Sequence, residues 1–96
     1  MEVKISSQFA SDFKMVNDVS LHEKVKNVLR TIKRAQGVDQ VPHLRNIKGN
    51  NSAYKIGVGF YYLVGVLTSE KEMIFLRFLH RDQVLDTINK SNSQRH

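Results

Sequence analysis

KGNNSAYKIGVGFYYLVGVLTSEKEMIFLRFLHRD, residues Lys48 to Asp82, reads as three consecutive antiparallel strands. Tyr54-Lys55-Ile56 opens the first, Gly57-Val58-Gly59 supplies a tight reversal, and Phe60 to Leu67 runs back. Thr68 to Glu72 turns the chain again, and Met73 to Leu79 forms a strongly apolar third strand bounded by polar residues. Its exit carries His80 and Arg81, which the meander is expected to bring close to Lys55. A small sheet that gathers Lys, His and Arg without matching acids suits a polyanion, RNA above all, better than a neutral metabolite.

Upstream, Val3-Lys4-Ile5 reads as a short first strand, and Ser6 or Ser7 is placed to cap a helix. Phe9, Phe13 and Val16 follow the i, i+4, i+7 spacing of one buried stripe. Asn17-Asp18 interrupts it. Ser20-Leu21-His22-Glu23 has the capping-box form, a hydroxyl followed three residues later by a carboxylate. The helix it predicts runs to about Ala35, with Leu21, Val25, Val28, Leu29 and Ile32 inward and Gly37 in the left-handed closing position. Together the two helices make a hairpin. Val38 to Asn51, which holds the single proline, Pro42, is a connection. After the meander, Asp82 is the expected cap of a short third helix whose inner side is Val84, Leu85 and Ile88. The order β-α-α-β-β-β-α, with helices segregated from an antiparallel sheet, is an α+β fold. We expect one domain over residues 1–88 and a polar, frayed tail over 89–96.

At 96 residues and 41% hydrophobic content, the chain builds one modest core. It has no cysteine, so disulfides and thiolate metal sites are excluded. The four histidines, His22, His43, His80 and His96, lack the paired spacing of a zinc site, and neither metal nor cofactor is expected. No apolar run approaches the roughly 20 residues that span a bilayer. Met1-Glu2-Val3-Lys4 starts like a strand rather than a signal peptide, so the expected compartment is the cytoplasm. The net charge is +6 and is unevenly spread. Between Lys24 and Ser69 stand Lys24, Lys26, Arg30, Lys33, Arg34, Arg45, Lys48 and Lys55, against one acid, Asp39. Such a local excess marks a nucleic-acid binder or the partner of an acidic protein.

The order of elements, the strand start Ala53-Tyr54-Lys55-Ile56 and the strand end Arg77-Phe78-Leu79-His80-Arg81 resemble the RelE/ParE superfamily of bacterial type II toxins, which includes plasmid stabilisation proteins. The resemblance runs from Val3 to Ile88. It implies a small toxin neutralised by a cognate antitoxin in a toxin–antitoxin hetero-oligomer. In the RelE branch the toxin enters the ribosome and cleaves mRNA without a metal, inhibiting translation. In the ParE branch it poisons DNA gyrase by binding. A degenerate toxin that only binds its antitoxin is a third reading.

Metal-free RNA cleavage explains the basic residues. The ribose 2′-hydroxyl attacks the adjacent phosphate, a base accepts its proton, and an acid protonates the leaving 5′-oxygen. Charge growing on the phosphate oxygens is stabilised by fixed cations. By resemblance, Lys55 takes the basic position of the first meander strand and Arg81 that of the strand-end arginine on the phosphate. His80 or Tyr62 would carry a proton, and Arg45 and Lys48 would steer RNA. Four positions depart from the family pattern. Gly57 stands where a second basic residue is common, and Tyr62 replaces an arginine. Phe60 replaces a polar turn residue, and Leu85 replaces a tyrosine. Arg77, in the middle of an apolar strand, is expected to be paired or at the sheet margin; by simple alternation it shares a face with Met73, Phe75 and Leu79.

Overall fold

The computed structural model describes residues 1–84. Its sheet has five strands in the order β1-β5-β4-β3-β2: β1 Glu2–Ile5, β2 Arg45–Asn46, β3 Ala53–Val58, β4 Tyr61–Ser69 and β5 Glu72–His80. Helices α1, Ser7–Lys14, and α2, Val19–Arg34, cover one face. The α+β class and the antiparallel meander are as expected, but the sheet is mixed. β1 pairs parallel with β5, Val3 opposite Met73 and Ile5 opposite Phe75. The two-residue β2, hidden inside the predicted connection, pairs antiparallel with β3.

Strand alternation sorts the two faces. Ile56 and Val58 of β3, Leu63 of β4, and Met73, Phe75 and Phe78 of β5 point to the helices and form the core with Phe9, Leu21, Val25 and Ile32. Its centre is aromatic: the Phe9 ring lies 6.2 Å from Phe75 and 5.8 Å from Phe78, and Tyr61 stacks on Phe78 at 4.9 Å. Lys55, Gly57, Tyr62, Val64 and Leu79 alternate with these residues and line the opposite face.

Several local expectations are corrected. The reversal is Gly59-Phe60, because Val58 still pairs with Tyr61. Gly59 has φ +61°, the conformation a two-residue II′ hairpin demands of its first central residue. Helix α2 starts at Val19 rather than at a Ser20 cap, since the Asp18 carboxylate accepts the Leu21 N–H at 3.0 Å. Gly37 is extended (φ −168°), and α2 ends on an extended Ala35 instead of a left-handed glycine. Ser6 does cap α1, its hydroxyl accepting the Phe9 N–H at 3.0 Å.

Arg77 leaves the face of Met73 and Phe75. Val64 pairs with Arg77 but Gly65 pairs with Phe75, so Leu76 is an extra residue and the alternation changes phase there. Gly65 sits at this bulge with no room for a side chain: an added Cβ would lie 2.8 Å from the Ile74 carbonyl oxygen. The third helix begins two residues earlier than expected, with residues 81–84 helical. Leu85, Ile88, the proposed domain limit and the tail lie outside the described residues. Among the described residues no helix is long and apolar enough to cross a membrane.

Candidate functional site

The register puts Arg45 directly opposite Lys55. Residues so paired have their Cβ atoms about 5 Å apart and project from the same face. Lys55 is half-buried and Arg45 exposed, and among the described residues neither meets a carboxylate. Like charges placed opposite each other repel and cost stability. An anion bridging the two would remove that cost.

Tyr62 completes this group. It pairs with Gly57, two residues along β3 from Lys55, so it is the diagonal neighbour of Lys55 on the open face. The Lys55 ammonium stands 5.2 Å from the ring centroid, within cation–π range. The ring lies against Gly57, where an added Cβ would come within 3.3 Å of it. A side chain at position 57 would therefore push the Tyr62 ring aside by a few tenths of an ångström, which links the residue types at these two positions. Lys48, in the turn after β2, is exposed.

His80 and Arg81 form a second, separate group. Val58, Tyr61 and His80 share one cross-sheet row, whereas Lys55, Val64 and Arg77 share another three residues away. At about 3.4 Å per residue the rows are about 10 Å apart along the strands. His80 also follows the alternation of Phe78 to the helix-side face, and its ring meets Tyr61 edge-on at 5.2 Å and stacks near Phe60 at 6.4 Å. The expected proximity of Lys55 to the strand exit is thus not found. Phe60, His80, Arg81 and Asp82 line an open cleft of about 500 Å³ at the hairpin end. The Arg81 N–H donates to the Phe60 carbonyl at 2.7 Å, and its side chain is exposed.

The bonds at His80 are those of a helix cap. Its Nδ1 accepts the Asp82 N–H at 3.2 Å, and the Gln83 side-chain oxygen accepts the His80 N–H at 3.0 Å. This is a capping box with His80 at the cap and Gln83 three residues on, so His80 rather than Asp82 begins the helix. Nothing in the residue types singles out Gln83; only its spacing from His80 carries the signal. His22 is structural too: Nε2–H donates to the Phe13 carbonyl at 3.1 Å and the rings stack at 4.0 Å, closing the break between α1 and α2. Among the described residues no three His, Asp or Glu side chains are gathered to hold a metal.

Arg77 is paired, as expected for a charge in such a strand. Its guanidinium meets Asp12 of α1 through Nε at 2.8 Å and an Nη at 3.2 Å. Burial would raise the Asp12 carboxyl; hydrogen bonds from Arg77, the Phe78 N–H and Gln8, with the charge of Arg77, outweigh it and leave it below its ordinary value. The same contact raises Arg77, chiefly through the Asp12 hydrogen bond. Lys4 is raised by its hydrogen bond to Glu72 at 2.7 Å. Neither cation is therefore free in the way that Arg45 and Lys55 are.

A sheet of this order, with two helices on one face and a capped helix following β5, matches the RelE-like fold. A chain of the RelB–RelE antitoxin–toxin complex from Methanococcus jannaschii superposes with a TM-score of 0.73 and 24% identity over 88% of this chain and 96% of that one. YafQ from Escherichia coli strain BL21(DE3) gives 0.60 and 16%, covering 86% of this chain and 96% of its own. The conserved hypothetical protein HP0894 from Helicobacter pylori gives 0.59 and 19%, covering 85% and 96%. No family model matches the sequence. No curated protein matches it either.

Proposed function

We propose that this chain is the toxin of a type II toxin–antitoxin pair and acts in the cytoplasm on translated mRNA as a metal-independent endoribonuclease. The observation that carries this reading is the unneutralised Arg45–Lys55 pair beside Tyr62 on the open sheet face. Two opposed cations hold a phosphate between them, and the adjoining ring offers a surface on which a base stacks. Lys55 and Arg45 stabilise charge on the scissile phosphate, the Tyr62 phenol exchanges a proton with a reacting oxygen, and Lys48 and Arg81 bind flanking phosphates. An acidic antitoxin segment is the expected partner, lying over the basic outer face of α2 and the exposed edge strand β1. Growth after induced expression, with mapping of mRNA 5′ ends, tests the reading. New ends inside translated codons, lost with Lys55→Ala, support it; growth arrest with intact mRNA sinks it.

The separation of Lys55 and Tyr62 from His80 and Arg81 favours a second reading, a ParE-like toxin that inhibits DNA gyrase by binding. No single reacting group then needs to be gathered. Purified protein that blocks gyrase supercoiling and leaves mRNA whole would establish it.

A further inference from the structure

We infer that His80 acts as a positioning residue, the histidine cap that orients Arg81, and not as the proton carrier; this rests on the ribonuclease reading above. A neutral imidazole has two ring nitrogens, one bearing an N–H and the other a lone pair. Nδ1 accepts the Asp82 N–H at 3.2 Å, so the lone pair is used there and the proton sits on Nε2. In this state His80 has no free lone pair with which to take a proton from a ribose hydroxyl. Protonating Nδ1 would break the cap and turn that nitrogen towards Asp82 Oδ2, now 3.6 Å away.

What the cap does instead follows from its neighbours. Arg81 is the first helical residue, held on one side by its own N–H on the Phe60 carbonyl and on the other by the cap. Gln83 reaches back to the His80 N–H at 3.0 Å, so cap and first turn lock each other. Tyr61 edge-on and Phe60 face-on fix the ring plane. The charged groups beside the ring are Asp82 and Arg81. Arg81 is directed into the cleft by a reciprocal hydrogen-bond pair that depends on a side-chain acceptor at position 80.

Asparagine is a good cap with no acid–base capacity, whereas alanine lacks both the cap and the acid–base capacity, so the two substitutions separate the roles. We expect His80→Ala to speed exchange of the Asp82 amide hydrogen about fivefold, the loss typical of a missing cap, and to weaken mRNA cleavage. His80→Asn should restore both and leave the pH profile of cleavage as in the wild type. Cleavage as poor in His80→Asn as in His80→Ala, with the amide protected again, would overturn the inference and return His80 to proton transfer. Full cleavage by His80→Ala would overturn it as well. Exchange reads the cap even in a chain that cleaves nothing: unchanged exchange in His80→Ala removes the cap, whereas absent cleavage in the wild type removes only the ribonuclease reading.

Discussion

Asp12 takes over the edge of β5 where β1 runs out. One carboxylate oxygen accepts both the Arg77 Nε–H at 2.8 Å and the Phe78 backbone N–H at 2.9 Å. Just before it, Ser6 serves the same edge, its N–H donating to the Phe75 carbonyl and its hydroxyl to the Leu76 carbonyl at 2.9 Å each. Two side chains and one amide thus do for three backbone groups of β5 what a longer β1 would have done, and they blunt this edge against pairing with a second chain. They also tie α1 to the sheet.

Removing that carboxylate is expected to loosen α1. Asp12→Ala leaves the Phe78 N–H without an acceptor and the Arg77 guanidinium without a partner, a loss of about 1–3 kcal/mol. Chemical denaturation measures it. The pH dependence has a definite sign. A carboxyl lowered in the fold contributes fully above its unfolded value, about 3.9, and loses that contribution as pH falls through the lower folded value. Wild type should therefore lose stability relative to Asp12→Asn as pH falls below about 4, and the difference should be flat near neutrality.

Arg45 and Lys55 predict the opposite trade. Because they face each other without a carboxylate, Lys55→Gln should leave the melting temperature unchanged or raise it. RNA affinity should fall, and the slope of log affinity against log salt should drop by about 0.7, one phosphate contact on a single strand. A titration of single-stranded RNA at several salt concentrations decides it. An unchanged slope would remove Lys55 from the RNA face.

Gly65 is expected to tolerate nothing larger than hydrogen. Its added Cβ would meet the Ile74 carbonyl oxygen at 2.8 Å, the Phe75 ring at 2.9 Å and Met73 Sδ at 3.1 Å. The carbonyl belongs to the sheet backbone and cannot swing aside as a side-chain end does. Gly65→Ala should cost about 1–3 kcal/mol, as overpacking does, with the urea midpoint as readout. A neutral result would mean that the Leu76 bulge can shift register.

Much of this architecture is legible in the sequence because the meander announces itself. Ile56, Val58, Leu63, Met73 and Phe75 keep an alternating pattern around a glycine turn, and local hairpins need no distant information. Pairing of β1 with β5 joins Val3 to Met73 across the whole chain, and no local pattern states it or its parallel sense. β2 is two residues without apolar alternation, continued by the Asn46 side chain bonding the Ala53 carbonyl at 2.9 Å. The Leu76 bulge leaves no trace in composition, so simple alternation puts Arg77 on the wrong face and gives no reason to single out Asp12. Residue types single out Lys55, Tyr62, His80 and Arg81 as polar features of strand and strand end, and they lie in β3, in β4, at the end of β5 and just after it. Which of them share a face is a matter of register, and it separates the first two from the last two.

Tyr62 offers two chemistries that one substitution each can part. Its ring carries the Lys55 ammonium at 5.2 Å and covers Gly57, while its hydroxyl is the only group on this face, among the residues proposed to act there, that exchanges a proton without first losing a positive charge. Tyr62→Phe keeps the ring and so should bind RNA as the wild type does, but with cleavage lowered about 10²-fold or more, the usual contribution of a positioned acid or base. Tyr62→Ala should lose binding as well, because stacking is worth about 1–3 kcal/mol per base. Affinity and single-turnover cleavage measured side by side separate the two roles. Full cleavage by Tyr62→Phe would leave the open face as a binding surface alone, and would favour a toxin that acts by occupying its target.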